Sequence, residues 1–573
     1  MNNILNLSKL YTSISSPNLH SDINVCKAII SHINELINGK MTVVKIEQIL
    51  NNINRFYLIY NRIITYIQMN IYININNTNA FILKDSISNL YDTFLKSQQN
   101  FAKLLSCIDL DSIIEQSDYI KAHKEYLIKI TFSSSLSNNK LYDINKYESS
   151  YHKLINKQTV TLNGKNHSVA SLNFLIRNNN NYSIKKQLYK KQQSALNNIK
   201  APVAECLFNI KKLTTQYAKD CNYQSVLSMS LENMHFSNKQ LDTLIFSIEK
   251  NLNIFDKYLS IKSHFMNNSN KLHYYDINSP ISNSPFPNQT INATKNYLIN
   301  TFAKYSTSLS NLTSEIFENN YIDYSNRKNK SNVSCHIKIL ELKESRIIYH
   351  RTNTFQDIFS IGHEIGHAYH SKCIMNSNTA INSEIPLCSL EIGSMFFELF
   401  LYDDMIKRSS KNDKIILLDM LLSYLTQSIG EIYIRFLFEK EVFNLVNAGN
   451  DCTNEFNTIM HDCQKKVFGN LISTNDYLWI LKPHYFSSEY SFYNFPYALG
   501  TLYAIHLLDI FSTNNAKNFV PEFETFLAKT TTTSLGDLSK IFKFDLNNPS
   551  FYDKAFLKIN NYVNELFNQL NSL

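Results

Sequence analysis

The chain has 573 residues, 44% of them hydrophobic and 18% charged, which excludes a disordered or fibrous protein and allows one large unit or several smaller ones. A net charge of +8 is mild for this length, and basic residues gather only in short clusters such as Lys185-Lys186, so no nucleic-acid partner is expected. The nine cysteines are odd in number and contain no Cys-x-x-Cys pair, which argues against a disulfide framework or a thiolate metal site and fits a reducing compartment.

Met1 to Leu5 lack the basic start and apolar run of a secretory signal. The richest apolar stretches, Met395 to Leu401 and Ile415 to Phe438, are interrupted by Glu398, Asp419, Glu431 and Arg435 and fall short of a clean bilayer span of ~18 residues. The expectation is a cytoplasmic protein without a membrane partner.

In chain order, residues 21 to 130 read as amphipathic helix. Val160 to Leu162 and His167 to Val169 flank Asn163-Gly164, the signature of a hairpin with a type I′ turn. The Asn-rich run Asn178 to Asn181 places a soft boundary near 200, between a helical region 1–200 and a region 201–573 that holds the motifs below. Ser237 and Gln240 form a candidate capping box ahead of a long helix whose apolar stripe runs from Leu241 to Leu259. Asn278 to Asn288 is a loop. Val333, Cys335, Ile337 and Ile339 alternate and predict a strand, paired across Lys343-Glu344-Ser345 with Arg346 to Tyr349. Strands are few, and the fold class is mainly α.

The next helix is predicted over Thr354 to Cys373, with Thr354 and Asp357 placed to cap it. It holds His363-Glu364-Ile365-Gly366-His367. Histidines four apart on a helix lie one turn apart on one face, where two imidazoles can share a zinc ion. Glu364, one position off, then reaches a water at the metal and suits a general base. Gly362 and Gly366 each disfavour a helix by ~1 kcal/mol against Ala, so their positions need room. Glu391 lies in the apolar helical segment Leu390 to Glu398, where a buried carboxylate must be paired or metal-bound; it completes a His₂Glu set for one Zn²⁺. Glu398, two turns further on that face, is either a hydrogen-bond partner of a ligand or a plain exposed Glu. His370, three residues after His367, is a competing ligand by type but is expected to point past the metal.

The run His363 to Ser371, the spacing to Glu391 and Glu398, Ser394 after the third ligand, Asp357 ahead of the motif and the segment Tyr275 to Pro280 together resemble the oligoendopeptidase F group of the thimet-oligopeptidase-like zinc metallopeptidases. His484-Tyr485-Phe486 and Ser491 to Gly500 are similar to the His-and-Tyr stretch that such peptidases set opposite the zinc. The resemblance implies His484 and Tyr497 as groups that steady an oxyanion, then Tyr490, with Tyr493 as the alternative. It also implies a large helical fold with a deep channel, a small β-sheet beside the zinc-site helix, and short peptides as substrates. It covers residues 200 to 573 well and the first 200 only by helical character. One departure is plain: Lys330 to His336 replaces the Gly-rich turn common in the family before the strand that lines the cleft.

The activity expected is endopeptidase cleavage of short peptides. A carboxypeptidase or dipeptidyl-carboxypeptidase with the same metal site is the alternative; it needs a cation for the substrate's C-terminal carboxylate, which the sequence does not single out. A catalytically silent binding relative is the third reading. The oligomeric state is not legible.

Overall fold

The computed structural model describes residues 4–133, 138–162, 164–177, 179, 181–267, 271–281, 289–513 and 516–572. It is 72% helical, as the amphipathic periodicity requires. Asn163 of the expected hairpin turn and residues 282–288 of the expected loop lie outside the described residues. The hairpin strands themselves pair antiparallel, Thr159–Leu162 with Lys165–Ser168, and Gly164 takes a φ of +76°.

Buried apolar side chains fall into two clusters. One gathers residues from Leu5 to Ile130 and adds Ile339, Ile348 and Ile381; the other runs from Ile144 to Leu570. Residue 200, the sequence-based boundary, sits inside one 39-residue helix, Tyr182–Asp220, whose buried face is continuous through Leu196, Ile199 and Val203. The capping box at Ser237 is present: Gln240 N donates to Ser237 Oγ at 3.2 Å and Ser237 N to Gln240 Oε1 at 2.9 Å. The helix it opens is shorter than expected. It stops at Lys250, and a second helix, Leu252–Asn267, continues the stripe. Asn251 makes the break, its side-chain amide donating to the Ser247 carbonyl at 2.9 Å in competition with the helical ladder.

Ahead of the motif helix, a three-stranded sheet has the order Ile322–Asp323, Glu344–Ile348, Cys335–Ile339. The last is therefore an edge strand. It begins at Cys335 and not at Val333, because Val333 N turns back to Ser331 Oγ and its side chain is exposed. Alternation divides its faces: Cys335, Ile337 and Ile339 pack into the N-terminal cluster, whereas His336 stacks on His367 of the motif helix at 6.1 Å between ring centroids. The N-terminal helices also hold the loop that follows the motif helix, through Asn54 Oδ1 with Ile381 N at 3.3 Å and Ala122 O with Asn382 Nδ2 at 2.9 Å.

The segment Lys411–Asn447 is long and apolar enough to cross a membrane by length and composition, but 72% of its apolar window is buried inside the protein. Its charges are matched within the fold: Asp419 with Lys262 at 2.9 Å and Glu431 with Arg435 at 3.2 Å. A π-helical turn, Thr426–Glu431, interrupts it.

Candidate metal centre

The motif helix spans Gln356–Ser377, beginning two residues later than predicted. Asp357 does not cap it from within. Its buried carboxylate accepts from Thr352 N at 2.8 Å, Asn353 N at 2.9 Å and Tyr349 OH at 2.8 Å. Asp357 thus ties the end of the central strand to the helix start, and its partners all lie upstream of the histidines.

One turn apart, His363 and His367 face the helix Leu387–Arg408. Glu391 Oε2 lies 3.3 Å from His363 Nε2 and 3.4 Å from His367 Nε2. Three donors of this kind at ~2.0 to 2.1 Å from one zinc are separated by about 3.3 to 3.4 Å along the edges of a tetrahedron, so the donor set and its spacing fit the ion. Glu398 accepts from His363 Nδ1 at 3.0 Å, which fixes the tautomer that leaves Nε2 free for a metal. Ser394 Oγ donates to Glu391 Oε2 at 3.0 Å and holds that carboxylate in turn. His370 points elsewhere, toward Thr530 Oγ1 at 2.8 Å.

Burial opposes a charge on Glu391, yet the two histidines outweigh it and hold its carboxyl well below the ordinary range. Burial likewise opposes a charge on His363, and hydrogen bonds to Glu391 and Glu398 reverse this and raise it well above the usual imidazole value. Glu364 is 9% exposed, and burial raises its pKa against the pull of His367 and His363.

The glycines of the motif have a packing cause. A Cβ on Gly366 would stand 2.7 Å from Ser394 Cα and 3.4 Å from the Gly393 carbonyl, so only glycine lets the two ligand-bearing helices cross this closely. At Gly362 the obstacle is the tip of the Leu401 side chain, which can turn away. Gly366→Ala is therefore expected to destabilise by about 1 to 3 kcal/mol and to weaken metal binding about 10- to 100-fold by moving Glu391, with Gly362→Ala much milder. Thermal midpoints and metal content measured side by side check this; equal behaviour of the two variants would refute it.

The His-and-Tyr stretch forms two 3-10 turns, Leu478–Leu481 and Pro483–Phe486, and then the helix Phe495–Thr513. Gly500 of that helix packs on Glu391, 3.4 Å from Glu391 Cβ to a Cβ built there. Tyr497 and Tyr493 share a hydrogen bond at 2.7 Å, and the Tyr493 ring stacks on His484 at 6.0 Å. Burial first, then the Glu391 carboxylate, raise the Tyr497 phenol far above its usual value, so it stays protonated. His484 is pushed the other way, well below the imidazole range, by burial and by Arg435 and Lys482. Tyr490 is 40% exposed, its ring 5.8 Å from that of Tyr493 and its backbone N on Ser487 Oγ. Tyr493, the alternative, occupies the position between Tyr497 and His484. Sequence reasoning missed His336, whose Nε2 shares a hydrogen bond with Ser345 Oγ at 2.8 Å beneath His367; its only signal was a polar residue in an alternating strand.

A helical protein in which one helix offers two histidines and the next a carboxylate to a common point, with a further carboxylate beside them, defines a metallohydrolase class of site. The chain belongs to peptidase family M3, whose model matches residues 175–557. It is 21% identical over 334 residues to oligopeptidase PepF of Bacillus subtilis, a match covering 57% of this chain and 49% of that protein. It is 23% identical over 393 residues to an oligoendopeptidase F homolog of Lactococcus lactis subsp. lactis, covering 67% and 64%. The chain thus spans about half to two thirds of the length of these relatives. Crystal structures share the fold over nearly the full length. PZ peptidase A with an inhibitor superposes with a TM-score of 0.81 at 16% identity, covering 98% of this chain and 100% of that one. Oligoendopeptidase-F from Enterococcus faecium gives 0.70 at 15%, covering 97% and 98%.

Proposed function

We propose that the chain is a zinc-dependent endopeptidase acting on short peptides. The convergence of His363, His367 and Glu391, all within 4.8 Å of one another, carries this reading. Bound there, zinc would supply Lewis acidity toward a water and a substrate carbonyl. Glu364, on the same helix one position from His363, accepts the proton of the attacking water, and its raised affinity for that proton suits the task. The protonated Tyr497 phenol, backed by Tyr493, donates to the oxyanion, with neutral His484 as a second donor. The free edge of Cys335–Ile339 offers backbone groups to an extended peptide, a recognition mode indifferent to side chains. All nine cysteines are free, which supports a reducing, cytoplasmic setting.

Incubation with a mixed peptide library, with and without a chelator, tests the reading. Internal fragments that vanish on chelation are expected; chelator-insensitive cleavage, or none, would sink it. Among the tyrosines, Tyr497→Phe is expected to lower kcat about 10²- to 10³-fold with little change in KM. Tyr490→Phe, on an exposed side chain, stays within about twofold. Equal losses in the two variants would move the oxyanion donor away from Tyr497.

A further inference from the structure

The edge strand Cys335–Ile339 carries a cation that belongs neither to the core nor to the metal site. Across the sheet Lys338 stands opposite Ser345 and His336 opposite Ile347, so Lys338 and His336 project from one face, the face that His336 lays against His367. The Lys338 ammonium donates to the Ser383 carbonyl, in the loop between the two ligand-bearing helices, which leaves two of its three N–H donors for another acceptor. Among the described residues no carboxylate lies within ion-pair distance of it. Glu384, the one acidic group whose charge favours it, is exposed and paired with Lys129 at 3.3 Å.

Burial pulls the Lys338 ammonium down to about 8 against the attraction of Glu384, so its charge is disfavoured where it stands. The side chain nevertheless stays partly exposed, and an incoming anion both reaches it and relieves the cost. A peptide added to the free edge would become the next strand of the sheet. Side chains of neighbouring strands alternate together, and residues opposite each other share a face with Cβ atoms about 4.5 to 5.5 Å apart. The substrate residue opposite His336 then lies on the metal side, and the residue two positions along, opposite Lys338, points at the ammonium. We propose that Lys338 is a specificity-determining residue that binds the side-chain carboxylate of an Asp or Glu in the peptide, two positions from the residue set beside His336. The proposal rests on the peptidase reading and deepens it: backbone pairing is indifferent to sequence, and Lys338 adds a preference for an acidic side chain at one position.

The test uses one uncharged oligopeptide, acetylated and amidated so that chain-end charges play no part, in which Glu, Gln or Lys is placed in turn at each of the three positions on either side of the scissile bond. The wild-type enzyme is expected to prefer Glu to Gln about 10- to 100-fold in kcat/KM at one position only, chiefly through KM, and to disfavour Lys there. Lys338→Met is expected to bring that Glu-to-Gln ratio to about 1, Lys338→Arg to retain it, and Lys338→Glu to turn the preference toward the Lys peptide. Each ratio is taken within one enzyme preparation, so a variant that folds incompletely still reports it. No Glu preference at any position in wild type, an equal preference at every position, or a preference that persists in Lys338→Met and Lys338→Glu overturns the proposal and leaves the peptidase reading standing. Failure of wild type to cleave the uncharged parent and all its derivatives overturns the peptidase reading and this proposal with it.

Discussion

Glu364→Gln is expected to lower kcat for an internally quenched peptide by about 10²- to 10⁴-fold, the range that a positioned general base contributes. Bound zinc should stay at one per chain, because Glu364 is not among the three converging donors. Gln keeps the volume and the hydrogen-bonding oxygen of Glu but cannot take a proton, so KM should change little. The thermal midpoint supplies a second readout. In the metal-free protein burial raises the Glu364 pKa, so the folded state binds its proton more tightly than the unfolded state does. That contribution favours folding at low pH and is lost as pH rises through the folded value, which makes the ionised carboxylate a liability at neutral pH. A neutral Gln removes the liability, so the variant's midpoint should equal or exceed that of wild type at pH 7. Zinc loss on Glu364→Gln would instead make Glu364 a ligand, and full turnover would end its assignment as base.

What could be read in the sequence and what could not divides along the range of the interactions. His363, Glu364 and His367 sit on one helix, where spacing alone fixes which side chains share a face. Glu391 and Glu398 were legible for the same reason, two turns apart on one apolar helix, and the structure brings both to His363. The capping box at Ser237 is equally local. Asp357 was misplaced because its partners, Tyr349 and Thr352, come from the preceding strand and turn, and a helix-start position gives no sign of that. The segment 483–494 has neither period 2 nor period 3.6, and Phe492 adopts a φ of +56°, so no pattern ranks Tyr490 against Tyr493.

Glu391→Ala is expected to be the most damaging single change for metal content, taking bound zinc from one per chain to near zero after dialysis and activity with it. Two imidazoles remain, but a catalytic zinc site ordinarily needs three protein ligands, and the neighbouring Ser394 hydroxyl is a far weaker donor than the carboxylate it supports. Glu398→Ala provides the contrast. It leaves all three ligands in place and removes only the acceptor that orients His363 Nδ1, so zinc affinity should fall about 10- to 100-fold and added zinc should restore turnover. The two variants separate a ligand from the group that aims one, because excess metal can compensate for a loosely held imidazole but not for a missing donor. Titration with zinc after chelator treatment, following metal content and peptide cleavage together, gives both numbers from one experiment. Stoichiometric zinc in Glu391→Ala would place the third ligand elsewhere, and identical zinc titrations for Glu398→Ala and wild type would reduce Glu398 to a packing role. The contrast depends on geometry that the two helices share: Gly366 lets them approach until Glu391 stands 3.3 Å from His363 on one side of the ring, while Glu398 takes the other nitrogen at 3.0 Å.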